Sequence, residues 1–74
     1  MIIKVSAGRW ASQYITDTVE VNLPPDATVL DAIIQAGLPE DEVGFAVVDG
    51  NVLTKDTLLT DNMAIILHPV IIGG

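Results

Sequence analysis

The chain has 74 residues, half of them hydrophobic, with ten acidic side chains against three basic ones, a net charge of −7 and no cysteine. That length fits a single domain whose core has little margin, and the missing thiols exclude disulfides, a cysteine nucleophile and Cys-ligated metal. The negative charge argues against nucleic acid and anionic membranes as partners and for a basic surface on another protein, although solubility alone accounts for most of the individual carboxylates.

In chain order, residues 1–6 read as a short strand, with Met1, Ile3 and Val5 on one face and Ile2, Lys4 and Ser6 on the other. Residues 7–14 read as a loop carrying Arg9 and the only tryptophan, Trp10, which either marks a contact surface or packs over the end of the core. Residues 15–23 alternate as a second strand, Ile15, Val19, Val21 and Leu23 sharing a face that Asp17 interrupts, and the two strands read as an antiparallel hairpin. Pro24-Pro25-Asp26 ends it, because proline cannot donate to a central ladder.

The period then changes. Thr28 with Asp31 three residues on has the form of a capping box. Val29, Leu30, Ile33 and Ile34 are spaced as one apolar stripe, and Gly37 and Pro39 stop the helix, predicted over about residues 28–36. Glu40-Asp41-Glu42 reads as a solvated acidic turn, since an Asp-rich calcium loop would alternate. Residues 43–48 are apolar almost throughout, which suits a strand buried on both faces or a short run against the helix, with Asp49-Gly50 a type I′ hairpin turn and residues 52–54 the return. Leu58 and Leu59 are expected to re-enter the core, and Asp61-Asn62 to turn the chain into a last strand at about residues 63–70.

One helix laid on one face of a mixed sheet of four to five strands would bury the stripe and the inward strand rows together. The first and last strands are then expected side by side and parallel in the middle of the sheet. This α+β order is the β-grasp arrangement, over one domain spanning residues 1–74 with a flexible tail at about 71–74. No basic region followed by an apolar stretch and a cleavage site opens the chain, and its longest apolar run falls short of the ~20 residues that cross a bilayer. The expected location is the cytoplasm.

The tail carries the functional signal. Gly73 and Gly74 directly follow an apolar run, and such a pair arises by chance in roughly one chain in 200 at average glycine usage. Two residues without Cβ leave an unshielded carboxylate able to enter a narrow channel, which makes that carboxylate the candidate reactive group; a frayed terminus is the competing reading.

Taken together, the Pro-Pro-Asp-Ala-Thr-Val-Leu-Asp-Ala lead into the helix, the Val-Asp-Gly-Asn-Val hairpin and the ending Asp61-Asn62, Ile65-Ile66-Leu67, Pro69-Val70, Gly73-Gly74 resemble the ubiquitin-like sulfur carriers of the ThiS/MoaD family. The resemblance covers the whole chain, and its specific part is the last fourteen residues. It implies that the Gly74 carboxylate is adenylated by an ATP-dependent enzyme of the ubiquitin-activating type. A persulfide donor then converts the acyl-adenylate to a thiocarboxylate, which is delivered to a biosynthetic enzyme making thiazole or molybdopterin. It further implies a carrier with no bound cofactor, modified only transiently, and no enzyme activity of its own. The family usually has a small residue before the glycines; here Ile72 follows Ile71.

Alternation in the last strand places Ile65 and Leu67 inward, and Ala64, Ile66 and His68 outward. Ile66 and His68, with Val70 and the tail residues Ile71 and Ile72, would form an apolar docking patch; alternatively Ile66 lies under a loop and His68 caps the strand. A lone histidine without cysteine is a poor metal ligand set, and no metal site is expected. Two other functions fit the same residues: a ubiquitin-like modifier joined through Gly74 to lysines, and a non-catalytic β-grasp interaction module.

Overall fold

The computed structural model describes residues 1–71. Five strands, β1 (Ile2–Ala7), β2 (Val19–Asn22), β3 (Val43–Val48), β4 (Asn51–Leu53) and β5 (Ala64–Pro69), form one mixed sheet in the order β2-β1-β5-β3-β4. β1 and β5 run parallel in its middle, with Val5 opposite Ile65 and Ala7 opposite Leu67. The other three pairings are antiparallel. This is the β-grasp arrangement expected from the order of elements.

The single α-helix, α1 (Val29–Ala36), forms where the capping residues predict it. Thr28 Oγ1 accepts from the Asp31 amide at 3.4 Å and the Asp31 carboxylate accepts from the Thr28 amide at 2.9 Å, a complete capping box. The amides of Val29 and Leu30 donate to the carbonyls of Thr57 and Lys55 at 3.0 and 2.9 Å, so the donors of the first turn are satisfied by a remote segment. Gly37 closes the helix with φ 89°, the left-handed conformation glycine adopts without a Cβ clash.

The core brings Val29, Ala32 and Ile33 of α1 against Ile3, Val5, Ile65 and Leu67 of the central strands and Val43 and Ala46 of β3. No polar or charged side chain is buried among the described residues. Three expectations are corrected here. The buried helical stripe is Val29, Ala32 and Ile33, with Leu30 half-buried and Ile34 57% exposed. At 100° per residue the stripe centred on Val29 and Ala36 takes in Ala32, whose small side chain lets the helix approach the sheet, and leaves Ile34 on the far flank. Leu59 is buried but Leu58 is exposed, because the chain is extended where Thr28 and Leu58 form a bridge and successive side chains point opposite ways.

Finally, the second strand covers only Val19–Asn22 rather than residues 15–23. The amides of Tyr14 and Ile15 both donate to the Ala11 carbonyl, at 2.8 and 3.0 Å, continuing a 3₁₀ turn at Arg9–Ala11 instead of entering the ladder. Ile15 reaches the core from that turn.

At the opposite end of the chain the Asp61-Asn62 turn is tied to the start of β1. Asp61 Oδ1 accepts from the Ile2 amide at 2.8 Å, and the Asn62 amide donates to the Ile2 carbonyl at 2.9 Å. Asn62 takes φ 65°, which asparagine tolerates. Asp49 and Gly50, at φ 51° and 80°, make the expected type I′ turn between β3 and β4.

The helix geometry separates two neighbouring isoleucines. Ile33→Ala is expected to cost about 2–5 kcal/mol through lost burial and a residual cavity, whereas Ile34→Ala is expected to stay within about 0.5 kcal/mol of the parent. Urea midpoints of the two variants measure the difference.

Candidate functional site

The end of β5 is held by β3. Residues 64–67 of β5 pair with β1 and residues 66–69 with β3, so Ile66 and Leu67 are flanked on both sides and the strand continues to Pro69 along β3. Val70 then donates its amide to the Glu42 carbonyl at 3.1 Å, and Ile71 is 80% exposed. Ile72, Gly73 and Gly74, the remaining tail residues singled out from the sequence, lie outside the described residues, as does most of the segment expected to be flexible.

Gly44 makes the close approach of β3 to the tail root possible. A Cβ at this position would lie 2.8 Å from the Pro69 carbonyl oxygen and 3.1 Å from Val70 Cα. The β3–β5 register also shifts between Val43 and Phe45. An isolated glycine inside an apolar strand signals a bulge or a backbone contact, and here it is both.

Beside this exit lies the outer, helix-free face of the sheet. Ile66 is 47% exposed and His68 half-buried, while Ile65 and Leu67 are buried, the alternation expected from the sequence. Opposite His68 on β3 is Phe45, and the two rings stack with centroids 5.0 Å apart and planes 5° from parallel. Val47 lies opposite Ile66, and Val52 of β4, 65% exposed, lies opposite Val47. The outward patch therefore runs across three strands. Ile66 is not covered by a loop, and His68 is a stacking partner rather than a strand cap.

The sequence reading did not single out Phe45, Val47 and Val52; in residues 43–48 both faces of the strand are apolar, which masks the alternation.

Val70 does not simply extend that patch. With Pro69 it lines a cleft of about 340 Å³ whose other walls are Trp10, Asp41 and Glu42. Trp10 is half-buried and packs against the core, as one of its two readings expects, and it also lines the cleft. Tyr14 spans from the first loop to this wall, donating its hydroxyl to a Glu42 carboxylate oxygen. Its pKa is raised, first by that hydrogen bond, then by lost hydration and by the repulsion of the Glu42 charge. No group of three or more His, Asp or Glu side chains among the described residues could hold a metal ion, and no described helix is long and apolar enough to cross a membrane.

No protein-family model matches the chain, and no curated protein matches it in sequence. Solved structures do. SAMP1 from Haloferax volcanii superposes with a TM-score of 0.73 at 18% identity, covering 100% of both chains. A Pyrococcus furiosus protein described as subunit 1 of molybdopterin converting factor gives 0.71 at 24% identity, over 96% of this chain and 99% of that one. Caldiarchaeum subterraneum ubiquitin gives 0.62 at 21% identity, over 100% and 98%. At these identities the likeness is one of fold, a ubiquitin-like β-grasp domain.

Two measurements test the site. Gly44→Ala forces backbone apart at the tail root and is expected to destabilise the fold by about 1–3 kcal/mol, with the largest amide shifts at Pro69's neighbours His68 and Val70 in NMR spectra. Tyr14 supplies a pH signature. A phenol whose pKa is raised on folding contributes stability that is complete below the ordinary tyrosine value of about 10 and disappears as pH rises through the higher folded value. Tyrosinate absorbance of this one-tyrosine chain should therefore titrate above the ordinary value, and Glu42→Ala should return the midpoint toward it.

Proposed function

We propose that this chain is a cytoplasmic sulfur carrier that acts through the carboxylate of Gly74 and supplies no catalytic side chain. The observation that carries the reading is the exit of β5, a central strand that delivers Val70 and Ile71 to solvent just ahead of the diglycine. The four residues after Val70 reach at most about 14 Å from it. An enzyme acting on the carboxylate must therefore also cover the end of the sheet, where Ile66, His68 and Val70 supply a docking surface.

The chemistry follows from the group itself. A carboxylate is a poor electrophile until adenylation by an ATP-dependent enzyme of the ubiquitin-activating type gives it AMP as a leaving group. A persulfide sulfur displaces AMP, and cleavage of the resulting S–S bond by a second thiol leaves the thiocarboxylate, a far stronger nucleophile than the carboxylate it replaces. The structural neighbour described as a molybdopterin converting factor subunit supports delivery of that sulfur to a biosynthetic enzyme making molybdopterin or thiazole.

A second reading has its own support. The neighbours described as a small archaeal modifier protein and as a ubiquitin favour transfer of the activated Gly74 to lysines of target proteins. Activation is common to both readings, and only the acceptor differs.

Incubation with the adenylating enzyme, ATP and a persulfide donor is expected to add about 16 Da to the intact mass, one oxygen replaced by sulfur at the acyl end. Deleting Gly73 and Gly74 should abolish the gain and leave the urea midpoint unchanged. Lysine-linked adducts recovered from cells would establish the modifier reading, and a mass unchanged under every condition would overturn both.

A further inference from the structure

The cleft beside the tail root has a chemistry that the carrier reading does not use. It is lined by Trp10, by two acidic residues, Asp41 and Glu42, and by Pro69 and Val70. At about 340 Å³ it sits at the small end of the roughly 300–1,000 Å³ of small-molecule sites, with room for one long side chain. The walls are also fixed relative to the tail. Glu42 accepts the Val70 amide on its carbonyl and the Tyr14 hydroxyl on its carboxylate, which leaves the second carboxylate oxygen able to accept another donor. Lys55 is occupied elsewhere, its Nζ donating to the Glu40 carbonyl at 2.8 Å, and Arg9 is exposed and does not line the cleft.

We infer that this cleft receives an arginine side chain of the protein that handles the tail. An anionic group there would meet two carboxylates on a chain of net charge −7, and a neutral apolar one would strip water from Asp41 and Glu42 without pairing them. A cation satisfies both walls. Arginine fits better than lysine, because a planar guanidinium stacks on an indole face while its fork of donors binds carboxylate oxygens. An ammonium is a single strongly hydrated point. An arginine seated here touches Val70, so it grips the tail at its root while the reactive end stays free for chemistry. That the arginine belongs to a tail-handling protein rests on the function proposed above; the preference of the cleft for a guanidinium does not.

The test uses the isolated full chain and N-acetyl-arginine amide as probe, read by NMR at the Trp10 indole N–H and the Asp41, Glu42 and Val70 amides, and by Trp10 fluorescence. Saturable shifts confined to those residues are expected, with N-acetyl-lysine amide weaker and N-acetyl-citrulline amide silent. Asp41→Asn and Glu42→Gln should each weaken binding about two- to fivefold, the range of exposed ion pairs, while Glu20→Gln on β2 should change nothing. Equal response to arginine and citrulline, shifts spread over acidic residues in general, or no shifts at all would overturn the inference. Arginine binding in a chain whose tail is never adenylated would leave the cleft standing and reassign the owner of the arginine.

Discussion

The parallel ladder between β1 and β5 is the constraint from which the geometry of the rest follows. Two parallel strands cannot be joined by a tight turn, so a long crossover must carry the chain from one to the other. Here that excursion supplies α1, which covers one face, and β3 with β4, which protect the second side of β5. Asp61 and Asn62 complete the return by bonding the Ile2 amide and carbonyl, which sets the register in which Ile65 and Leu67 meet Val5 and Ala7 in the ladder.

Central placement of β5 makes the terminus of the domain unusual. A final strand at a sheet edge could peel away, but this one lies between β1, which pairs with it as far as Leu67, and β3, which pairs with it as far as Pro69, and Gly44 lets β3 close against its last backbone atoms. The residues that follow depart from a fixed point.

Around this root the molecule offers two chemically distinct surfaces. The outer sheet face is apolar and flat, with Ile66, Val47 and Val52 in a row and the Phe45–His68 stack beside it. The cleft is concave and acidic with an aromatic wall.

Much of this was legible from residue order. The Thr28 and Asp31 capping pair, Gly37 and Pro39 delimit the helix, Asp49-Gly50 and Asp61-Asn62 fix the turns, and the alternation of residues 64–68 assigns inward and outward faces, because each is a local rule of backbone geometry. Distance-dependent features were not legible. Ile34 and Leu58 look like core residues in sequence but face solvent, since which flank of a stripe is covered depends on where the sheet lies. Trp10, Asp41, Glu42 and Val70 are separated by up to sixty positions and converge only when β3 and β5 pair. The amino-acid order thus determined the elements, their turns and the diglycine signature, all set within a few residues. Packing alone decided which apolar side chains stay exposed and which distant groups share a cleft, because those outcomes depend on long-range contacts that no short stretch of chain encodes.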